Sequence, residues 1–132
     1  MDITIDASAL LAVCTNERSK PRLIEITTGY GLIAPSSIHW EIGSALSAML
    51  KRGRVDLAQA QDCVAAYREI PVKLVDVDLA QALAVAARFR IYAYDAYLLT
   101  CAMQSRSPLL SLDSALNAAA AQLGISLLGE PL

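Results

Sequence analysis

The run Ile3-Thr4-Ile5-Asp6-Ala7-Ser8-Ala9-Leu10-Leu11 constrains the fold of this chain more than any other part of it. Three β-prone residues come first, and the apolar run that follows is too long for one strand. Asp and Ser start helices because their side-chain oxygens accept hydrogen bonds from the first free N–H groups. The run therefore predicts a buried strand that leads directly into a helix, with the Asp6 carboxylate at the junction. Open parallel α/β sheets place their ligands at this end of their strands.

Length and composition favour a single α/β domain. The sequence has 132 residues, which is long enough for a hydrophobic core. Hydrophobic residues make up 55% of it and charged residues only 18%, as expected where helices cover both faces of a parallel sheet. We therefore expect one domain over residues 1–132, with some apolar surface buried in an oligomer or under a partner.

Composition also argues against several other classes of protein. No segment reaches the ~18 apolar residues of a membrane-spanning helix, and acidic residues interrupt the N-terminus where a secretory signal would be apolar. The 3 cysteines form no CxxC pair and there is 1 histidine, so we do not expect a structural zinc site. An odd number of cysteines is typical of reduced thiols, which indicates a cytoplasmic protein, and the lack of an apolar span leads us to expect no membrane partner.

The charge balance limits how this chain can bind a polyanion. The formal net charge is −2, which argues against strong non-specific binding of nucleic acid through bulk charge. A polyanionic substrate must then be held locally, by a basic patch or by a metal ion.

Hydrophobic periodicity and helix start and stop signals predict the order of the elements. Strands are predicted at residues 3–5, 32–34, 72–75, 108–112 and 125–128. Helices are predicted at residues 8–15, 20–28, 37–51, 56–69, 79–89, 95–105 and 114–122, with a loop at 92–94. This alternation predicts a three-layer α/β/α fold, in which helices flank a central parallel sheet of four to five strands.

Four acids are predicted to meet at one edge of this sheet, although they are far apart in the sequence. Asp6 and Asp113 each follow a strand directly, Asp95 begins a helix, and Glu41 lies in the first turns of another. Clustered carboxylates raise one another's pKa and are costly unless a cation neutralises them. Oxygen ligands without His or Cys favour Mg²⁺ or Mn²⁺, and such an ion can activate water and stabilise a leaving oxyanion.

Helix capping is a simpler explanation for three of these acids. Asp6, Asp95 and Asp113 are all good N-cap residues, each worth about 1 kcal/mol, and Glu41 would suit a solvated helix. Against this explanation, Glu41 lies on the apolar side of its predicted helix, where a charge without a partner is costly. Both explanations stay open at this point.

Four blocks of sequence resemble the signature blocks of PIN domains. They are Ile5-Asp6-Ala7-Ser8-Ala9-Leu10-Leu11, Trp40-Glu41-Ile42-Gly43-Ser44-Ala45-Leu46, Tyr94-Asp95-Ala96-Tyr97-Leu98-Leu99 and Leu110-Ser111-Leu112-Asp113. They span nearly the whole chain, in the order and spacing of that family. The chain most resembles the VapC toxins of bacterial and archaeal toxin–antitoxin pairs.

The resemblance implies a Mg²⁺- or Mn²⁺-dependent endoribonuclease that is usually a homodimer and is neutralised by a cognate VapB antitoxin. It implies that Asp6, Glu41, Asp95 and Asp113 form a catalytic quartet. Asp6 and Asp95 would bind the metal directly, and Glu41 and Asp113 would act directly or through water. Ser111 stands where the family often has Thr, and its hydroxyl is expected to orient Asp113 or a water.

Other polar residues keep two explanations each. Ser8 either hydrogen-bonds a phosphate or Asp6, or is simply a first-turn helix residue. Lys51, Arg52 and Arg54 would either hold the RNA backbone or form a solvated helix end, and the second role is preferred. Arg88 and Arg90 would contact the substrate or an antitoxin, and neither role is favoured. Trp40 is expected in the core or in a dimer interface.

Three other functions compete with the ribonuclease interpretation. A non-catalytic PIN-like module would keep the fold and bind RNA or protein without turnover, but the intact acids speak against it. A phospho-accepting receiver domain needs an acid pair after the first strand and a late lysine, whereas Ala7 follows Asp6 and no lysine follows Lys73. Haloacid-dehalogenase-like chemistry needs an acid where this chain has Ser8.

Overall fold

A four-stranded parallel sheet forms the centre of the computed structural model, which describes residues 1–129. The strands are β1 (Asp2–Ile5), β2 (Gly31–Pro35), β3 (Val72–Val75) and β4 (Leu109–Leu110), in the spatial order β3-β2-β1-β4. Every strand pairs in parallel with its neighbour. The predicted α/β/α class is confirmed, whereas the single domain over residues 1–132 stays a prediction because residues 130–132 lie outside the described part.

Seven helices connect and flank these strands within residues 1–129. They are α1 (Ala7–Cys14), α2 (Lys20–Thr27), α3 (Ile38–Lys51), α4 (Leu57–Glu69), α5 (Leu79–Phe89), α6 (Ala93–Ser105) and α7 (Ser114–Gln122). Among the residues that the structure describes, none of these helices has the length and apolar character needed to cross a membrane.

The start of α6 differs from the sequence prediction. The predicted loop at 92–94 is wrong, because α6 begins at Ala93 and Tyr92 is its N-cap residue in an extended conformation. Asp95 therefore lies in the first turn of α6 and does not cap it. An acid is favoured by the helix dipole anywhere in the first turn, so the charge alone does not fix the first residue.

The predicted fifth strand at 125–128 is reduced to a single parallel bridge between Leu109 and Leu127. The N–H of Leu109 donates to the Ser126 carbonyl at 2.9 Å, and the N–H of Leu128 donates to the Leu109 carbonyl at 2.9 Å. No ladder continues from this bridge in the described residues, because β4 is only two residues long.

Strand β4 ends early because the next backbone groups bond to side chains. The N–H of Leu112 donates to the Ser8 hydroxyl at 2.9 Å, and the N–H of Asp113 donates to the Ser111 hydroxyl at 2.9 Å. These bonds replace strand pairing beyond Leu110, so the chain leaves the sheet at the edge where the acids are predicted to lie.

The core is built around β1, the inner strand between β2 and β4. Ile3, Leu10 and Leu99 are fully buried there. Thr4 is also buried, and its hydroxyl lies 2.6 Å from the Ser107 hydroxyl, so a polar side chain is satisfied inside the core. This packing holds rigidly the strand that carries Asp6 at its carboxyl end.

Candidate active site

Asp6 and Asp113 both follow strands and both cap helices. The Asp6 carboxylate accepts the N–H of Ala9 at 3.0 Å at the start of α1. The Asp113 carboxylate accepts the N–H groups of Ala115 at 3.0 Å and Leu116 at 3.2 Å at the start of α7. Each cap uses one carboxylate oxygen, Oδ1, and leaves the other for a further contact. Capping and a role in an acid cluster are therefore compatible for these two residues.

Glu41 and Asp95 occupy the first turns of α3 and α6 and cap neither helix. The Glu41 carboxylate oxygen Oε1 is buried and has no hydrogen-bond partner among residues 1–129. A buried carboxylate oxygen without a partner carries the full cost of its lost hydration. Glu41 is thus the acid for which capping and solvation explain least.

Burial and mutual repulsion raise the pKa of three of these acids. Burial, followed by the charges of Asp6 and Asp95, raises the pKa of Glu41 to about 7. Burial also raises the pKa of Asp95, with a further contribution from the charge of Asp113. The charge of Asp113 thus acts on Asp6 and on Asp95, and the charges of both act on Glu41. The four predicted acids are therefore neighbours at the edge of the sheet where β1 and β4 end.

Asp6 is the most enclosed of the four, with 4% of its surface exposed. Burial raises its pKa, and the charge of Asp113 acts in the same direction. Hydrogen bonds from Ser111, from the N–H of Ala9 and from Ser8 oppose this rise because they stabilise the carboxylate. The carboxylate is therefore held by a set of donors and is not free to rotate.

Two serines form a clamp between Asp6 and the loop after β4. The Ser8 hydroxyl donates to both Asp6 oxygens, at 2.8 and 2.9 Å, and accepts the N–H of Leu112. The Ser111 hydroxyl donates to Asp6 Oδ2 and accepts the N–H of Asp113. Ser111 was expected to orient Asp113 or a water. Instead its hydroxyl donates a hydrogen bond to the Asp6 carboxylate, and Asp113 bonds to it through the backbone N–H.

The acids do not form a finished metal site in this structure. Within residues 1–129, no three His, Cys, Asp or Glu side chains are grouped closely enough to hold an ion as they stand. The donor set nevertheless fits a hard divalent cation, because it consists of carboxylate oxygens without sulfur or imidazole. The buried Glu41 oxygen, which has no hydrogen-bond partner within residues 1–129, independently supports the fit, because a bound cation would compensate its charge.

Two polar residues at this edge were missed by sequence reasoning. Ser37 is the first residue of the helix predicted at 37–51, and within the described residues its hydroxyl is buried without a partner, one turn before Glu41. Asn117 donates from Nδ2 to the Ser111 carbonyl at 3.0 Å and so fixes the loop that carries Asp113. The only available signal for Asn117 was its spacing of four residues from Asp113 on α7.

Several other side chains lie away from the acids or are exposed. Lys51 and Arg52 are exposed at the far end of α3, about 20 Å along the helix from its start, which favours the solvated role. Trp40 is 69% exposed, so its placement in the core is wrong. Tyr92 is 90% exposed beside the start of α6, and His39 packs against Trp40 with ring centroids 4.8 Å apart.

Comparisons with known proteins agree with this architecture. A family model described as the PIN domain matches residues 3–122. The crystal structure of PAE2754 from Pyrobaculum aerophilum is 25% identical, with a TM-score of 0.68 over 90% of this chain and 87% of that one. No curated protein sequence matches the chain.

Two further solved structures share the fold at lower identity. VapBC2 from Rickettsia felis, bound to a DNA fragment from its promoter, is 12% identical, with a TM-score of 0.66 over 96% of this chain and 97% of that one. Mycobacterium tuberculosis VapC20, described as a sarcin-ricin loop cleaving toxin, is 12% identical, with a TM-score of 0.63 over 89% of this chain and 94% of that one.

Proposed function

This chain belongs to the PIN domain family, and from that premise we propose that it is a metal-dependent endoribonuclease. The proposed cofactor is Mg²⁺, with Mn²⁺ as a substitute, and the proposed reaction is hydrolysis of RNA phosphodiester bonds. The proposed biological role is the toxin of a toxin–antitoxin pair in the cytoplasm.

The observation that carries the proposal is the cluster of four carboxylates, one of whose buried oxygens, Glu41 Oε1, has no hydrogen-bond partner within residues 1–129. Asp6, Glu41, Asp95 and Asp113 interact through their charges at the carboxyl edge of the sheet. Such an arrangement is unfavourable on its own and becomes favourable when a cation is bound. Hydrolysis of a phosphodiester is the chemistry that a hard divalent ion in such a site supports best.

Each acid has a distinct role in the proposed mechanism. Asp6 and Asp95 would hold Mg²⁺, and the bound ion would supply the positive charge that activates a water and stabilises the departing 3′ oxygen. The serine clamp holds the Asp6 carboxylate in one orientation. Burial and the charges of Asp6 and Asp95 raise the pKa of Glu41 to about 7 in the metal-free protein, and when the ion is bound Glu41 would act on it directly or through water. Asp113 is exposed at the rim, where it contributes directly or through water.

The proposed partners follow from the family and from the neighbouring structures. We propose a VapB-type antitoxin because similar structures include the VapBC2 assembly and a toxin–antitoxin complex from Klebsiella pneumoniae. A homodimer is proposed because α5 presents two apolar side chains one turn apart. Leu79 and Leu83 are 59% and 58% exposed, and a second copy would cover such a surface.

The direct test compares RNA cleavage by the wild-type chain with cleavage by Asp6→Asn and Asp95→Asn variants. We expect either substitution to lower the cleavage rate at least ~100-fold while the circular dichroism spectrum stays unchanged, because each removes a metal ligand. Asp62→Asn is the matched control, since Asp62 is exposed on α4. EDTA should abolish cleavage and Mn²⁺ should restore it. Wild-type cleavage rates in Asp6→Asn would refute the assignment.

A non-catalytic PIN-like module that binds RNA or protein is the second candidate function. It is favoured by the lack of a preformed group of three metal-ligating side chains in residues 1–129. The same assay separates the two functions, because a binding module would show no metal-dependent turnover. Mapping of RNA 5′ ends after induction of the wild-type and Asp6→Asn chains would then identify the cleaved RNA, if there is one.

A further inference from the structure

A groove with two arginines lies next to the serine clamp. It has a volume of about 440 Å³. The loop before α2 and the first turn of that helix form one wall, with Arg18, Ser19 and Arg22. Ser111 and Leu112, from the loop after β4, also line the groove. The groove therefore opens beside the loop after β4, which carries Asp113 and is hydrogen-bonded to Asp6.

The connection between the groove and the acids runs through hydrogen bonds. Ser111 lines the groove, and its hydroxyl donates a hydrogen bond to Asp6. Leu112 also lines the groove, and its N–H donates to Ser8, which holds the same carboxylate. A chain bound in this groove would thus contact Ser111 and Leu112, the two residues that directly precede Asp113. The side chain of Leu112 is 46% exposed and offers an apolar contact to a bound chain.

Charge distinguishes this groove from the rest of the acid edge. The whole chain carries a net charge of −2, and the clustered acids repel phosphates. Arg18 and Arg22 are both exposed, and Glu17 is the acid among the lining residues within 1–129, so the described part of the lining carries a charge of two minus one, or +1. Guanidinium groups bind phosphate oxygens through two parallel hydrogen bonds. The groove is therefore a local basic site of the kind that an acidic chain needs in order to hold a polyanion.

We propose that Arg18 and Arg22 bind backbone phosphates of single-stranded RNA, beside the phosphate that is cleaved. The inference rests on the proposed function, since it places the substrate of that reaction. The contacts are to phosphates and not to bases, so the arginines set the position and register of the strand without selecting its sequence. A single strand is the form of RNA whose backbone can enter a site beside enclosed carboxylates.

The test measures RNA binding without cleavage, in the full-length chain with the Asp6→Asn substitution. Three proteins with that substitution are compared. The first has no further change, the second (the groove pair) carries both Arg18→Gln and Arg22→Gln, and the third (the control pair) carries both Lys51→Gln and Arg52→Gln. The last pair removes the same charge from the far end of α3. The probe is a short fluorescein-labelled single-stranded RNA of mixed sequence. Fluorescence anisotropy is recorded over a series of salt concentrations at fixed Mg²⁺.

We expect the groove pair to weaken RNA binding at least ~10-fold at low salt and to reduce the slope of log affinity against log salt by about 1.4, or roughly 0.7 for each lost phosphate contact. The control pair should change affinity by less than about two-fold. A variant with both Arg18→Lys and Arg22→Lys should bind RNA more tightly than the groove pair but less tightly than the protein with both arginines. Lysine keeps the positive charge but cannot form bidentate hydrogen bonds to a phosphate.

The outcomes separate this inference from the ribonuclease proposal. Equal weakening by both pairs would mean that bulk charge binds the RNA, and no weakening by the groove pair would mean that the strand lies elsewhere; both overturn the inference. Labelled polyglutamate is tested in the same way as a model of an acidic protein segment. If the groove pair keeps its RNA affinity but loses polyglutamate binding, the groove binds an acidic protein segment, and the inference is also overturned. If the groove pair weakens RNA binding as expected but the wild-type chain never cleaves RNA, the subsite stands and the ribonuclease proposal fails.

Discussion

At the scale of single residues, the acids differ in how their burial is compensated. Asp6 has three donors around its carboxylate, whereas Glu41 has an oxygen with no partner in residues 1–129. The sequence indicated that Glu41 was unusual, because a charge lay on the apolar side of a helix. It could not indicate that Ser111 would donate to Asp6, since that contact depends on where a loop turns after β4.

The titration of Glu41 should make the metal-free protein less stable as the pH rises. Its folded-state pKa is about 7 and its ordinary value is 4.5, so between these pH values the folded protein holds a proton that the unfolded chain releases. The stability from this group is complete below about pH 4.5 and is lost as the pH rises to about 7. We expect Glu41→Gln to be more stable than wild type at pH 8 by about 1–2 kcal/mol, after allowance for solvent screening.

Urea unfolding of both proteins in EDTA, at pH 5 and pH 8, measures this effect. The difference between the two proteins should be small at pH 5 and larger at pH 8. A wild-type advantage at pH 8 would contradict the assignment of the raised pKa to Glu41. Glu25→Gln, at an exposed position of α2, is the control and should leave the pH dependence unchanged.

Removal of the Ser111 hydroxyl should weaken metal binding more than it weakens the fold. Ser111→Ala deletes the donor to Asp6 and the acceptor for the N–H of Asp113. We expect a loss of about 10–100-fold in Mn²⁺ affinity and about 1–2 kcal/mol in stability. Ser111→Thr should retain both, because it keeps the hydroxyl. Calorimetric titration with Mn²⁺ tests this, with Ser114→Ala on the exposed start of α7 as control. Unchanged Mn²⁺ affinity in Ser111→Ala would show that the clamp does not position the ligand.

At the scale of elements, regular segments with strong local signals were predicted best. Helix α7 and strand β3 have the predicted bounds, 114–122 and 72–75. The prediction failed where tertiary contacts decide the structure. Strand β4 stops at Leu110 because side chains take the next N–H groups, and the segment at 125–128 finds only one bridge to pair with. Ser8 and Leu112 are 104 positions apart in the sequence, so no local pattern reports their hydrogen bond.

The packing of α6 against the sheet should contribute more to stability than any exposed apolar residue. Leu99 is fully buried in α6, whereas Leu83 on α5 is 58% exposed. We expect Leu99→Ala to cost about 2–5 kcal/mol, because the deletion leaves a cavity in a close-packed core. Leu83→Ala removes a similar number of atoms but should cost less than about 1 kcal/mol. Urea unfolding of the two variants measures the difference, and similar losses would contradict the burial of α6.

At the scale of the whole molecule, parallel topology explains why four acids spread over more than a hundred residues meet at one edge. This convergence was predictable, because strand ends and helix starts share an edge in any such sheet. The groove was not predictable, because Arg18 and Arg22 reach this edge only through the path of the loop between α1 and α2. Nothing in their local sequence distinguishes them from the exposed cations at the end of α3.

The acid edge should also couple metal binding to the stability of the whole molecule. The folded state gathers four carboxylates that the unfolded chain keeps apart, so Mg²⁺ should bind the folded state selectively and raise its unfolding temperature. The gain should follow RT ln(1 + [Mg²⁺]/Kd), which amounts to about 1.4 kcal/mol for a Mg²⁺ concentration near ten times the dissociation constant. Thermal unfolding with and without Mg²⁺, at matched ionic strength, measures it. Asp6→Asn and Asp95→Asn should lose the gain, and Asp62→Asn should keep it. A gain of equal size in all four proteins would mean that Mg²⁺ acts by general screening and that the acid cluster binds no ion.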